Sequence, residues 1–269
     1  MYLKSILTLF FFLTLITNIT SQLEDSKKGE LYFYWGWNRG WYSNSNINFS
    51  GENYDFVLKN VIAKDRQTKF SFNNYFKPSI ITIPQYNFRL GYYFQENWDI
   101  SFGVDHMKYV VQQNQTVLID GYIENTSTVY NNQYSDEKIE LTKDFLKFEH
   151  TDGLNYINIE FRHSDKIIVT KNIRIGLKEG LGLGMMIPKT NTTLLGRESY
   201  DEFHLSGIGI GGIIGLNFTL FNKFFIQPEF KAGFINLSNV RTSPVKIDKA
   251  NHHFFFAQLN CVFGGTFTF

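Results

Sequence analysis

Few residues of this chain have types and spacing that could support catalysis, and one histidine–serine pair stands out. His204 and Ser206 are two positions apart, so on a β-strand their side chains would share the face that continues to Ile208. An imidazole within hydrogen-bond reach of a serine hydroxyl can act as the base that activates it as a nucleophile. The pair is therefore a candidate catalytic site near the end of a strand.

Such a pair needs a carboxylate to orient the imidazole. Glu179 would lie on the neighbouring predicted strand with its side chain outward, but the expected register places it several residues too deep. Asp201 and Glu202 are the alternatives. A polar strand end explains the same residues without catalysis, so we assign no catalytic site and keep the pair as an alternative.

Other residues that could carry chemistry are poorly placed for it. His252 and His253 are adjacent, so on a strand they point to opposite faces and cannot share a metal ion. Asp105 and His106 are also adjacent, so on a strand their side chains would point to opposite faces. We interpret the aspartate as a charge in the lumen of the barrel predicted below and the histidine as a residue at the membrane interface. The glycine series 180–184 lacks the strand-to-helix context of a phosphate-binding loop. We therefore expect no metal and no cofactor.

The elements that would position these residues are strands, because apolar and polar residues alternate with a period of two. In the segment after Ile83, for example, Phe88 and Leu90 alternate with Asn87 and Arg89. We predict about eight antiparallel strands near residues 31–37, 83–94, 98–105, 156–162, 173–178, 207–220, 226–234 and 255–269. Strand-like periods also occur at 54–58 and 117–119, so ten strands are the alternative.

Short and long connections alternate along the chain. Tight turns are predicted near 95–97, 164–165 and 222–223, whereas the connections at 42–79, 112–153, 186–203 and 238–251 are long and polar. This alternation places the tight turns and both termini on one side. In outer-membrane barrels that side is the periplasm, and the long loops are extracellular.

The first residues predict the compartment. Lys4, an apolar run from Ile6 to Ile16 and small polar residues up to Ser21 form the pattern of a cleaved secretory signal peptide. We divide the chain into a signal peptide at 1–21 and one barrel domain at 22–269. The single cysteine, Cys261, leaves no internal disulfide.

The composition narrows the class. The chain is 43% apolar and 19% charged, and the charged fraction is below the roughly 25% of soluble domains. No segment after the signal peptide has the length and hydrophobicity of a transmembrane helix, and a closed sheet is the other structure that satisfies the backbone in lipid. The formal net charge of +1 lacks the basic excess of nucleic-acid binders, so we expect no nucleic-acid partner.

Alternation alone does not separate the inside of a barrel from its outside, and a soluble barrel with an apolar interior is the alternative. Glycines concentrate on the polar face, aromatic residues gather beside turns, and the polar face carries both charge signs. These features favour an apolar exterior and a narrow, closed lumen. We predict a lumen charge network formed by Arg89, Asp99, Asp105, Glu160, Arg162, Arg174, Lys178, Glu229 and Lys231.

With these features the chain resembles the small outer-membrane barrels related to the transmembrane domain of outer membrane protein A. The final Phe267-Thr268-Phe269 matches the signal by which the barrel assembly machinery recognises such clients, so the resemblance implies that machinery as a partner through Phe269. The bias toward Asn, Ile, Lys and Phe resembles Bacteroidetes proteins. His204 and Ser206 resemble the His-x-Ser of outer-membrane lipid A deacylases, in which the histidine activates the serine for attack on an acyl ester.

Three function classes follow. The first is a non-enzymatic surface barrel in the outer membrane, in contact with outer-membrane lipid, whose long loops stiffen the envelope or contact an unknown partner. The second is a lipid-modifying enzyme of the deacylase kind. The third is a narrow channel, which ten or more strands would favour because eight leave an interior filled by side chains.

Overall fold

A computed structural model describes residues 27–197 and 199–268 of the chain. The predicted signal peptide and the terminal Phe269 lie outside the described residues. The described part contains fifteen strands and one short helix, α1 (Phe72–Phe76). No helix in this part is long and apolar enough to cross a membrane.

Eight strands form a closed antiparallel ring, which confirms the predicted all-β barrel. In ring order they are β1 (Leu31–Tyr42), β5 (Tyr86–Tyr93), β6 (Trp98–Val111), β9 (Leu146–Val169), β10 (Ile173–Met186), β13 (Gly207–Leu220), β14 (Phe224–Arg241) and β15 (Lys249–Phe267), and β15 pairs with β1 to close it.

The register of the ring fixes the tilt of its strands. One row of paired residues starts at Leu31 and returns to β1 at Trp41, ten residues further along. The residues between them in this row are Tyr92, Ile100, Phe161, Leu181, Gly212, Ala232 and Ala257. An eight-stranded barrel with such a stagger has strands tilted by roughly 40° and an interior just wide enough for side chains.

The two faces of the ring strands have opposite character. Outward residues are large, apolar and exposed, as Phe102 (53%), Leu183 (69%) and Ile210 (58%) illustrate, whereas their inward neighbours are polar or glycine. Aromatic residues follow the edge that carries the tight turns, namely Tyr92, Trp98, Phe221, Phe224 and Phe267. Both observations agree with a barrel whose outside faces lipid between interfacial aromatic residues.

One predicted turn was wrong. The chain does not reverse at Ser164-Asp165, because β9 continues to Val169 and pairs with β10 past an irregularity at Ile175. The reversal comes at residues 170–172, where the Thr170 amide donates to the carbonyl of Ile173 at 2.9 Å.

The long connections at the other end are folded, and together they form what we call the head. A four-stranded extension continues from the upper edge of β15, in the order β2 (Ser45–Gly51), β3 (Tyr54–Val61), β7 (Thr116–Ile123) and β8 (Asn132–Glu140). Three shorter strands complete the head. β4 (Ala63–Lys64) pairs with β6, β11 (Lys189–Leu194) pairs with β9, and β12 (Tyr200–Phe203) pairs with β11.

The strand-like periods seen at 54–58 and 117–119 therefore belong to the head and not to a ten-stranded ring. The reason is visible on β15: β1 ends opposite Phe256, so the edge of β15 at 249–252 is open, and β2 pairs there. The head strands extend the wall without entering the ring.

The head has its own apolar core, which continues into the barrel. Ile47 and Phe49 of β2 and Phe56 of β3 are buried in one cluster with Tyr109 of β6 and Phe254 of β15. Ring contacts join the parts, with Phe49 and Phe148 of β9 centred 5.4 Å apart. One continuous core therefore fills the head and the upper barrel.

Candidate functional site

The barrel lumen holds the largest group of sequence-predicted site residues. At its centre three cations and three carboxylates from four strands lie together, each at most 2% exposed: Arg89, Arg162, Lys231, Asp105, Glu160 and Glu229. Inward positions bring them together because every strand of the ring presents alternate residues to the lumen. The equal numbers of each sign leave this central cluster without a formal net charge.

Glu160 is the hub of the cluster. Its Oε1 lies 2.9 Å from Nη2 of Arg89, its Oε2 accepts from Nε of Arg162 at 2.6 Å, and it also contacts the ammonium group of Lys231. Lys231 reaches Asp105 as well, and Nη1 of Arg162 lies 2.9 Å from Oε1 of Glu229. Buried charges with several charge-assisted hydrogen bonds are held in fixed positions.

A second ion pair lies nearer the tight turns. Lys178 Nζ is 2.8 Å from Oδ2 of Asp99 and donates to the Tyr93 hydroxyl at 3.0 Å, and the Tyr32 hydroxyl donates to Oδ1 of Asp99 at 2.6 Å. Arg174, the ninth predicted residue, lies apart from both groups, and its Nη2 donates to the carbonyl of Asn222 at 3.1 Å.

Neutral polar residues complete the network, and the sequence analysis did not include them. The Tyr34 hydroxyl accepts from Arg89 at 3.0 Å and from Arg162 at 2.8 Å, and Asn158 accepts from Arg89 at 2.7 Å while donating to Asp105 at 3.0 Å. The available signal was their position, because Asn158 occupies an inward site of β9, which carries two of the charges, and Tyr34 an inward site of β1, the ring neighbour of β5.

Inward glycines make room for these long side chains. A Cβ at Gly182 would lie 2.6 Å from Cγ of Glu160, and a Cβ at Gly103 would lie 2.9 Å from Cζ of Arg89. Both distances are shorter than real Cβ contacts, so the neighbouring side chain would have to move. The concentration of glycine on the polar face is explained by this crowding.

The lumen is closed by two different layers. Beside the tight turns, Tyr32, Tyr34, Tyr93 and Phe225 surround a space of about 10 Å³, room for about one water molecule. On the head side of the ion network the inward residues become apolar, and Tyr156 and Phe256 pack there with ring centroids 6.2 Å apart. Side chains therefore fill the described interior at both levels.

The proposed His204–Ser206 pair is not arranged for catalysis, and the assumption that placed it on a strand was wrong. Residues 204–206 connect β12 to β13 and belong to neither strand, and the amides of His204 and Ser206 donate to the carbonyls of Pro188 and Met186. The buried Ser206 hydroxyl donates to the carbonyl of His204 at 3.1 Å, and Nε2 of His204 contacts Asn239 at 3.0 Å.

The two adjacent pairs that include histidine divide between faces, as the alternation predicts. Asp105 belongs to the lumen network, whereas the His106 ring stacks outside on Tyr86 with centroids 4.8 Å apart. His253 lies outward beside Phe234, and His252 points into the head core.

Two buried histidines in the head were not anticipated as a pair. His150 and His252 are 0% and 2% exposed, and their rings stack with centroids 6.2 Å apart. Nδ1 of His150 contacts the Thr190 hydroxyl at 2.9 Å, while Nε2 of both rings is buried without a hydrogen-bond partner. Burial lowers the pKa of His150 from 6.5 to about 3, and burial together with His150 and His253 lowers that of His252 well below 6.5.

The outer wall carries one polar group that the sequence analysis recognised only in part. Glu179 is outward, as expected, and its carboxylate lies near His163 and Asp165 of β9. The sequence also contained a signal for His163 and Asp165, because residues two positions apart on one strand share a face.

No known protein family and no curated protein matches this chain. Among solved structures it is similar to Ail, the attachment invasion locus protein of Yersinia pestis, with 11% identity and a TM-score of 0.32 over 89% of this chain and 99% of that one. The outer membrane protein OprG from Pseudomonas aeruginosa gives 9% identity and a TM-score of 0.40 over 92% of this chain and 100% of that one. Neisserial surface protein A gives 10% identity and a TM-score of 0.37 over 89% of this chain and 98% of that one.

The strand pairing itself defines the class. The chain forms an eight-stranded antiparallel barrel with an apolar exterior and a polar, side-chain-filled interior, which is the architecture of a transmembrane β-barrel.

Proposed function

We propose that the protein is a non-conducting outer-membrane barrel that displays a folded extracellular head, and that it acts through contacts of this head or as a stiffener of the envelope and not as an enzyme. The exposed apolar belt supports the membrane placement. The signal-peptide pattern supports export, and the tight turns are then periplasmic.

The observation that carries the proposal is the continuity between barrel and head. β9 has 24 residues and β15 has 19, whereas a strand needs about 9 to 11 to cross a membrane. The excess length at the head end of both strands leaves the membrane as wall of the head, and one apolar core spans both parts. A head built in this way is held rigidly above the membrane and presents fixed surfaces to a partner.

The experiment tests topology with single cysteines in a Cys261→Ala background, because Cys261 is exposed on the outer wall. Val129→Cys places a thiol on the head, where Val129 is 93% exposed, and the matched control Lys171→Cys places one in the turn at 170–172. A membrane-impermeant maleimide should label the first variant on intact cells and the second only after permeabilisation.

A gel of outer-membrane fractions with and without boiling accompanies the labelling, since folded barrels migrate anomalously until heated. Recovery of the protein in the soluble periplasm, or equal labelling of both cysteines on intact cells, would contradict the proposal.

A further inference from the structure

Three polar side chains converge on the lipid-facing wall of the barrel. His163 Nδ1 lies 3.7 Å from Oδ2 of Asp165 and 3.7 Å from Oε1 of Glu179, and one ligand atom from each residue lies within 4.8 Å of the others. These separations exceed hydrogen-bond distances, so the three groups face a shared space. Two carboxylates against one imidazole make this space acidic.

The position of the group relative to the membrane follows from Trp98. This residue is the first of β6 after the tight turn at 94–97, it pairs with His163, and the two rings are centred 4.5 Å apart. Tryptophan at that place marks the periplasmic edge of the apolar belt. The acidic group therefore lies where lipid headgroups meet the barrel.

An apolar groove of about 640 Å³ begins at this group and is lined by two of its members, His163 and Glu179. Its walls include Phe161, Leu181 and Phe230, and its floor is formed at Gly212 and Ala232, where the row of outward side chains is interrupted by small residues. Leu181 lies two residues beyond Glu179 in the direction of the head, so the groove runs from the membrane edge into the apolar belt.

The two features together fit a single kind of occupant. The groove accepts an acyl chain, and the carboxylates at its periplasmic end attract a cationic group at headgroup level. Carboxylates on a lipid-facing wall are costly unless a counter-charge is near. Lys166, the next residue after Asp165 on β9, forms an ion pair with Glu96 at 3.0 Å.

We propose that the groove is a binding site for a phospholipid of the periplasmic leaflet with a primary ammonium headgroup. The ammonium donates hydrogen bonds to Glu179 and Asp165, His163 accepts the remaining one, and one acyl chain lies over Gly212 and Ala232. The proposal rests on the membrane placement given above, because the groove must face the periplasmic leaflet.

The test measures lipid selectivity of the full protein in nanodiscs that contain equal amounts of phosphatidylethanolamine and phosphatidylglycerol, without divalent cations. Lipids that remain bound after release from the nanodisc are counted by native mass spectrometry. The wild type should retain the ethanolamine lipid in preference, by up to about fivefold for partly exposed ion pairs. Glu179→Gln should bring the ratio close to one.

Two further variants separate the groove from the charge. Gly212→Leu fills the groove, and a Cβ at this position meets only ordinary contacts, 3.7 Å from Cδ2 of Leu181. It should lower retention of both lipids while the headgroup preference of the remainder persists. Glu140→Gln on β8 removes an equal charge from the head and should leave the ratio unchanged.

The outcomes distinguish failure of the site from failure of the membrane placement. A barrel that inserts into nanodiscs but retains both lipids equally, or that keeps its preference in Glu179→Gln, overturns the lipid site alone. Preference for the glycerol lipid on addition of Mg²⁺ would identify the group as a cation site instead, and a dimer lost in Gly212→Leu would identify a second copy as the occupant. Failure to insert at all overturns the membrane placement.

Discussion

At the scale of single residues, the lumen charges differ from surface ion pairs in how strongly each depends on its partners. Glu229 is 2% exposed, its Oε1 lies 2.9 Å from Arg162, and its Oε2 accepts from Asn260 at 3.3 Å. Lys189 in the head, by contrast, bridges Asp152 and Asp201 near solvent.

This contrast predicts a difference in stability. Glu229→Ala should lower the free energy of unfolding by about 3 to 5 kcal/mol because it leaves part of a buried guanidinium charge uncompensated, whereas Lys189→Ala should change it by roughly 0 to 1 kcal/mol. The measurement is the denaturant midpoint of the refolded barrel in detergent micelles. Equal shifts in the two variants would mean that the polar face meets water.

Alternation in the sequence assigns the nine charged residues to inward positions, where they are buried, but it does not identify their partners. Each charge occupies an inward position that alternation identifies, while the contacts join residues far apart in the chain, such as Tyr34 with Arg162. The sequence pattern places Tyr34 on the inward face of β1, but only the ring register brings its hydroxyl between two arginines. Which side chains meet inside a closed sheet depends on the stagger of the strands around the ring, and no local sequence pattern determines that stagger.

The two buried head histidines give the protein a predictable response to acid. Their folded pKa values lie below the unfolded value near 6.5, so below that pH the unfolded chain binds protons that the folded head does not. Stability is therefore full above pH 6.5 and falls as the pH decreases, by about 1.4 kcal/mol per pH unit for each imidazole until its folded pKa is reached.

The double variant His150→Phe/His252→Phe should remove most of this slope between pH 6.5 and 4.5. Amide hydrogen exchange of the head, corrected for intrinsic rates, measures it. His253→Gln is the matched control because His253 lies outside the core beside Phe234. A wild-type slope that persists in the double variant would assign the acid response to other groups.

At the scale of the strands, the inward faces change character along their length. On β14, Glu229 and Lys231 are followed by Ile235 and Leu237, and on β15, moving away from the tight turns, Asn260 and Gln258 are followed by Phe256 and Phe254. The period of two continues, and only the side-chain type switches. This switch marks the level at which the lumen passes into the head core.

That switch was available in the sequence, but the folding of the long connections was indicated only in part, by the strand-like periods at 54–58 and 117–119. β2 and β3 form because the upper edge of β15 is unpaired by β1, and because Ile47 and Phe56 pack into a core already provided by the barrel strands. The free edge of β15 exists because β1 ends opposite Phe256. Its position depends on the register of the two strands, which local sequence does not predict.

The inward glycines predict a steric limit on the strands. Gly182→Val on β10 should destabilise the barrel by about 1 to 3 kcal/mol, because its Cβ meets Glu160 at 2.6 Å and displaces the hub of the network. The fraction of heat-modifiable protein after refolding measures the effect. Gly212→Ala, on the outer wall where a Cβ fits, is the control, and equal loss in both would point to glycine flexibility rather than lumen space.

At the scale of the whole molecule, side chains of different chemistry fill the lumen in three layers. Tyr32, Tyr34, Tyr93 and Phe225 lie beside the tight turns, the ion network fills the centre, and the apolar layer at Tyr156 and Phe256 continues into the head. Removing charges from the centre does not alter the packing of the other two layers. A pore therefore requires changes in all three.

This arrangement predicts that neither the wild type nor Glu229→Ala conducts ions in planar bilayers, although the variant is less stable. A variant that combines Glu229→Ala with Tyr156→Ala and Phe256→Ala loses side-chain volume in two layers but keeps the layer of Tyr32, Tyr34, Tyr93 and Phe225 beside the tight turns, so it should not conduct either. Single-channel recording at neutral pH measures this, with Tyr156→Ala/Phe256→Ala alone as the control that keeps the ion network. Steady conductance of the wild type would contradict the closed lumen, and conductance of the control would show that the ion network does not seal the barrel by itself.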